Sequence, residues 1–338
     1  MADELSYAQC YEDLHLLRAF GEQRSGTYID IGAGHPVYDN VSFAFYLRGW
    51  SGITVEPNPW LAQLSAAVRP RDRRIQTLVG SAPGEATYYL VEDFHGLSTT
   101  VASNAQAAQH EYGKASKAMR VPVTTLAALC EQHAPGAIDF LKIDVEGAER
   151  DVLLGGDWTR FRPKVVTLEA LAPVTMQPSW DAWESLLTGH GYRFALFDSL
   201  NRYYVAEEHG ALAECLAAAP AAFDGVTQFR NFRPALDDSS HPDHRLAQRL
   251  AGTDMVRLPL LSTEQIVAYL AGADLDRPAS DTDIASAHAA LFGGAPSPEW
   301  IADLQLSRDA TKHDLYRRII DSEPFRVACG RISASTAW

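Results

Sequence analysis

The stretch Ile138–Glu149 (I-D-F-L-K-I-D-V-E-G-A-E) sends two carboxylates, Asp144 and Glu146, from the end of an apolar strand into a turn at Gly147. Strands of open α/β sheets present their chemistry at their carboxyl ends, in the crevice where ligands sit. Two carboxylates delivered there are hard to explain as packing. Upstream, Thr27–Gly34 (T-Y-I-D-I-G-A-G) reads as a strand running into a glycine-bearing turn, and Glu56 closes a further strand, Ser51–Glu56 (S-G-I-T-V-E). Together these segments read as a nucleotide-type cofactor site with carboxylates beside it. Gly32 and Gly34 are present, but position 37 is Val. The third glycine that a pyrophosphate needs for close helix packing is therefore missing, and NAD loses weight. A short G-x-G turn suits a cofactor without phosphates, and Glu56 can accept hydrogen bonds from both hydroxyls of a ribose. The plain alternative is a tight turn beside an exposed glutamate.

The elements that must position these residues alternate between strand and helix. Helical spacing covers Asp13–Phe20, Tyr38–Arg48, Trp60–Val68, Leu126–His133, Ala148–Leu154 and Trp180–His190. Strands are expected at Thr27–Ile31, Ile53–Glu56, Arg74–Val79, Ile138–Ile143 and Lys164–Glu169, with Ala86–Val91 as an edge piece. Tyr192–Phe197 and Arg202–Ala206 suggest a terminal antiparallel hairpin. The alternation predicts an α/β fold with a mostly parallel sheet. Beyond it the composition changes: Gly210–Pro220 is alanine-rich, and Phe232–His244 is rich in proline, serine and aspartate, as a linker is. Ser262–Tyr269, Asp281–Leu291, Pro298–Leu306 and Lys312–Ile320 then read as four short helices, each with a capping residue or turn before it. The expected organisation is a domain over 1–210, a linker over 211–250 with the boundary near 235, and a small all-helical domain over 251–338.

At 338 residues and 46% hydrophobic the chain can bury a core, and its net charge of −14 argues against nucleic acid as the main partner. No run approaches the roughly 18 apolar residues of a membrane span. Met1–Cys10 is acidic and polar, unlike a signal peptide. Cys10, Cys130, Cys215 and Cys329 are far apart, a reduced pattern without a zinc site, so a cytoplasmic location is expected.

Residues from about 6 to 208 resemble the FkbM-type methyltransferases, a branch of the Rossmann-like S-adenosylmethionine enzymes. The resemblance rests on Y-I-D-I-G-A-G-H-P (28–36), R-G-W-S-G-I-T-V-E-P-N-P (48–59), G-L-S-T (96–99) and I-D-F-L-K-I-D-V-E-G-A-E (138–149). It continues through R-P-K-V-V-T-L-E (162–169) and G-Y-R-F-A-L-F-D-S-L-N-R-Y-Y-V (191–205), all in order. It implies a Rossmann-like class I methyltransferase fold and S-adenosylmethionine as cofactor. Carried over, Asp30, Gly32, Ala33 and Gly34 would hold the methionine part of the donor, Glu56 the ribose, and Ser81 would lie by the adenine. The lead-in S-Y-A-Q-C-Y-E-D (6–13) departs from the family's spacing between Ser6 and Gln9, so no catalytic role is given to it. A-A-L-F-G-G-A-P-S-P-E-W-I-A-D-L (289–304) and D-L-Y-R-R-I-I-D-S-E-P-F-R (314–326) resemble a small helical bacterial domain of uncharacterised function, which could equally serve as a lid, a dimerisation unit or a protein-docking module.

An alcohol acceptor needs a general base or a divalent cation. His35, Asp144 and Glu146 are the candidates for the first, and His35 could equally only shape the turn with Pro36. Asp144 and Glu169 end parallel strands and, with Glu146 nearby, form a set of hard oxygen ligands suited to Mg²⁺. By analogy, the same strand ends hold metal in other oxygen-directed methyltransferases. Without a metal, Asp144 would hydrogen-bond the cofactor or backbone and Glu146 would cap the next helix. Ser98 and Thr99 could contact substrate hydroxyls or be structural. I-D-V-E-G stands where amino-directed base methylation would place an Asn/Asp-Pro-Pro-aromatic signature, which favours an oxygen acceptor, on a sugar or glycan or on a natural product. The competing classes are an NAD-dependent oxidoreductase and a non-catalytic adaptor.

Overall fold

The computed structural model describes residues 5–21, 23–91, 95–133, 136–217, 223 and 225–337. The chain divides into two compact units. One comprises Met1–His35, Asp39–Ala62 and Arg71–Gln228, and the other Pro36–Tyr38, Gln63–Pro70 and Phe229–Trp338.

In the first unit a short strand β1 (Leu5–Ser6) precedes the helix Glu12–Phe20, then β2 (Thr27–Ile31), β3 (Ser51–Val55) and β4 (Arg73–Ile75). A separate group follows: β5 (Leu78–Val79), β6 (Gly84–Leu90) and β7 (Lys117–Thr124). The chain returns with β8 (Phe140–Ile143), β9 (Val165–Glu169), β10 (Tyr192–Phe197) and β11 (Asn201–Ala206), and β12 (Thr227–Gln228) pairs with β1. The main sheet has seven strands in the order β10-β11-β9-β8-β2-β3-β4. All its pairings are parallel except the two made by β11, which is the expected terminal hairpin. The chain fills the sheet outward from β2 to β4 and then crosses to β8 on the other side of β2. The order therefore reverses between β2 and β8, the point at which open α/β sheets bind ligands.

Side chains alternate across the sheet with a period of two, and the two faces differ sharply. Ile29, Ile31, Ile53, Val55, Leu141, Ile143, Val166 and Leu168 give one apolar face, part of a cluster with Leu126, Val152, Trp158 and Trp183. The other face begins aromatic, with Phe140 stacked on Tyr28 at 5.4 Å and Phe45 at 4.7 Å from Phe140. Nearer the carboxyl ends it becomes polar. Thr54, Asp30, Lys142, Thr167 and Tyr203 are cross-strand partners in one row over five strands, and all are buried.

Several elements differ from the sequence expectation. Arg74–Val79 is two strands in two sheets, because Gln76 and Thr77 break it and Thr77 Oγ1 donates to the Pro122 carbonyl at 2.8 Å, drawing the chain to β7. Ala86–Val91 falls largely in β6, an edge strand as expected, though of the separate three-stranded sheet, where it lies antiparallel to β7. That partner, and the helix Ala102–Tyr112, escaped the sequence reading. The helix buries only Ala105 and Ala108, so it has no apolar stripe to show. Tyr38–Arg48 shortens to the helix Phe43–Leu47, and Trp180–His190 breaks at Trp183 into a 3₁₀ turn and Glu184–Thr188.

The stretch expected as a linker carries the helices Ala211–Ala217 and His244–Arg249 with buried Leu216, Phe229, Ala235 and Leu246, while 218–222 and 224 lie outside the described residues. In the second unit the helices Thr263–Leu270, Asp281–Leu291, Pro298–Asp303 and Lys312–Asp321 stand near their expected places. Ser262, Ser280 and Thr311 close capping boxes with Gln265, Asp283 and Asp314. A final helix, Glu323–Ala337, lies beyond the four expected, and its Ser333 and Ser335 are buried. No described helix is long and apolar enough to cross a membrane.

Phe140 is fully buried in the aromatic layer. Phe140→Ala is expected to cost about 3–5 kcal/mol, measured as a lower urea midpoint. A loss below about 1 kcal/mol would contradict that packing.

Candidate functional site

The turn after β2 is shaped by contact with the end of β8. Gly32 has φ +72°, and a Cβ there would lie 1.7 Å from the Asp144 carbonyl oxygen. Gly32 and Ala33 both donate their N–H to the Val55 carbonyl, at 2.9 and 3.0 Å, and Asp144 donates its own to Ile31 at 3.0 Å. Three strand ends are thereby locked together. Asn40 fixes the turn from its far side, its Nδ2 donating to the carbonyls of Ala33 (2.9 Å) and His35 (3.1 Å).

Glu56 follows β3 directly. Its Oε2 accepts from the Gly34 N–H at 2.8 Å and its Oε1 from the Asn58 N–H at 2.7 Å. Each carboxylate oxygen has a second lone pair to offer. Burial pushes the Glu56 carboxyl up to about 7, opposed by those two N–H bonds and by Lys142. Asp30 is fully buried within the sheet, accepts from Ser42 Oγ at 2.6 Å, and faces Lys142 at 3.7 Å.

Asp144, Glu146 and Glu169 converge at the same edge: one carboxylate oxygen from each lies within 4.8 Å of the others. Burial and then the Asp144 charge hold the carboxyls of Glu146 and Glu169 well above the usual range. The Glu169 Oε2 atom is buried without a hydrogen-bond partner. Lys142 Nζ sits beside this group, 3.1 Å from Asp144 Oδ2.

The loop carrying Glu146 is held in a left-handed conformation (φ +55°) followed by Gly147 at φ +102°. Its carbonyl accepts from Thr99 Oγ1 at 2.8 Å and from Asn104 Nδ2 at 3.0 Å. Glu149 Oε1 accepts from the N–H groups of Val145 and Gly147 at the start of the next helix. No side chain caps this helix; Glu149 braces the loop before it, and the Glu146 side chain stays with the acidic group.

The remaining candidates fall as follows. His35 is buried, 2% exposed, which places its ring poorly for taking a proton from an acceptor. Ser98 and Thr99 are buried as well; Ser98 Oγ accepts from the Val91 N–H at 3.0 Å, and Thr99 supports Glu146 as described. Ser81 is exposed and follows β5 of the three-stranded sheet.

Lys142, Asn40, Glu149 and Asn104 were not singled out from the sequence. Lys142 had a signal, as a lone charge inside the apolar run F-L-K-I. The lead-in segment also turns out to be built in: Asp13 accepts from Ser6 Oγ (2.6 Å) and the Tyr7 N–H (2.7 Å), and Glu12 Oε1 accepts from Asn201 Nδ2 (2.8 Å). Burial, with Asp198 nearby, pushes Glu12 up to about 8.

Residues 30–194 match the family model described as the methyltransferase FkbM domain. That segment runs from Asp30 in β2 into β10 and contains the glycine turn, Glu56, Lys142 and all three converging carboxylates. No curated protein matches the chain.

The buried acids set a pH dependence. Folded, Glu56 keeps its proton up to about pH 7 and Glu12 up to about 8, whereas both release it lower in the unfolded chain. The folded state therefore binds more protons, and stability falls as pH rises from 6.5 to 8. His15 and His241, pushed by burial down from 6.5 to about 4, act with the opposite sign between those values and fade above the lower edge of that window. The thermal midpoint is expected to drop between pH 6.5 and 8, less steeply in Glu56→Gln; a midpoint that rises would contradict the burial of these acids.

Proposed function

Taking the chain as a member of the FkbM methyltransferase family across residues 30–194, we propose that it transfers a methyl group from S-adenosylmethionine to a hydroxyl, on a sugar or glycan in preference to another natural product. We further propose that its main sheet is of the Rossmann-like class I type. The observation that carries the reading is Glu56, a buried carboxylate held by the Gly34 and Asn58 N–H groups with a lone pair left on each oxygen. That is a fixed double acceptor for the two hydroxyls of a ribose. The G-A-G turn beside it brings backbone close to a bound amino-acid portion without the full set of glycines a pyrophosphate needs.

Bound, the cofactor would supply an activated methyl group. The protein must orient the acceptor, exclude water and take the hydroxyl proton. Asp144, with its side chain one-third exposed, and Glu146 stand at the ligand-binding edge beside the glycine turn. We assign the proton to one of this pair rather than to buried His35. Thr99 and Asn104 set the Glu146 loop and so act by positioning. Ser98 and Thr99 remain candidates for contact with the acceptor's hydroxyls.

A second reading places a divalent cation among Asp144, Glu146 and Glu169, where it would lower the pKa of the acceptor hydroxyl. The close approach of their oxygens and the unpartnered Glu169 Oε2 favour it. Lys142, already against Asp144, weighs on the other side because it supplies positive charge there without an ion. Calorimetric titration with Mg²⁺ separates the two: binding that disappears in Glu169→Gln supports the cation, and no heat supports the lysine alone.

The primary test is titration with S-adenosylhomocysteine. Micromolar binding, weakened at least tenfold in Glu56→Ala, is expected. Absence of binding, or NAD binding in its place, would overturn the methyltransferase reading.

A further inference from the structure

We propose that Lys142 is a positioning residue that ties the donor turn to the acidic end of β8, so that one buried ammonium sets both halves of the site. This rests on the methyltransferase reading above. Lys142 lies in the middle of the sheet, its Cα paired with Asp30 on one side and Thr167 on the other. It is 6% exposed. A lysine so deep is costly unless its charge and protons are matched. Three groups match it. Nζ donates to the Gly32 carbonyl at 3.0 Å, lies 3.1 Å from Asp144 Oδ2, and faces Asp30 Oδ1 at 3.7 Å.

Each partner has a distinct position. Gly32 is the first residue of the glycine turn, and its carbonyl orientation fixes the peptide that leads into Ala33 and Gly34. Asp144 is the first carboxylate past β8. Asp30 belongs to the sheet interior. A lysine serving only to neutralise Asp30 would have no reason to reach the other two. The neighbouring polar side chains do not replace it: the Thr54 and Thr167 hydroxyls in the same row have no hydrogen-bond partner, and Ser42 is engaged with Asp30 Oδ2. Lysine suits the task through geometry, since its ammonium offers three donors diverging from one point.

Removing Lys142 alone would leave Asp30 buried and uncompensated and could prevent folding. The test therefore uses Asp30→Asn as the reference and the double variant D30N/K142M, in which both charges are gone. Folding of each is checked by circular dichroism and thermal midpoint, and S-adenosylhomocysteine affinity by calorimetry on the full chain. The expected result is measurable binding by D30N and binding at least tenfold weaker by the folded double variant. Wild-type affinity in both variants would reduce Lys142 to a counter-charge for Asp30 and overturn the proposal. So would a D30N protein that binds as weakly as the double variant, which would make Asp30 the determinant. Wild-type protein that fails to bind at all would overturn the methyltransferase reading and this inference with it, whereas wild-type binding with equal variants sinks the inference alone.

Discussion

The close approach of two strand ends, β2 at Gly32 and β8 at Asp144, is the constraint on which the site depends. A Cβ at Gly32 would fall 1.7 Å from the Asp144 carbonyl, so no side chain fits there without moving one of the strands. Because the two strands meet where the sheet order reverses, their contact brings a glycine turn and a carboxylate loop to one crevice. The turn inherits its shape from that contact, from the Val55 carbonyl and from Asn40. Glu56 then meets the turn through the Gly34 N–H.

Electrostatics divides the sheet's second face into two zones. Tyr28, Phe140, Phe45 and Trp50 make an aromatic layer around the amino ends of the strands, while Thr54, Asp30, Lys142, Thr167 and Tyr203 form a buried polar row closer to the carboxyl ends. Burying polar groups disfavours folding unless they are matched. Lys142 and Asp30 match each other, and Asp144 shares the lysine. The acids further out, Glu146 and Glu169, are not fully matched, and their raised protonation reflects it. Partial matching at a strand end is a common feature of sites that handle protons.

Much of this was legible in the residues. β2 keeps the bounds read from T-Y-I-D-I, and the capping boxes of the second unit follow from Ser and Thr placed three residues before Gln or Asp. The convergence of Asp144, Glu146 and Glu169 follows from strands ending at one sheet edge. What failed to show depends on groups distant in the chain. Nothing local says that Thr77 breaks a strand, since the partner that takes its hydroxyl is Pro122. Glu149 reads like Glu146 until the helix start is known. The burial of His35, Ser98 and Thr99 is likewise a tertiary property that no local pattern shows.

The most direct test of the account is hydrogen exchange by mass spectrometry, with and without S-adenosylhomocysteine, on the full chain. The account predicts slower exchange confined to peptides covering Gly32–Gly34, Glu56–Asn58 and the Asp144–Glu149 loop. Protection elsewhere with none in these three segments would contradict a donor site built on the meeting of β2, β3 and β8.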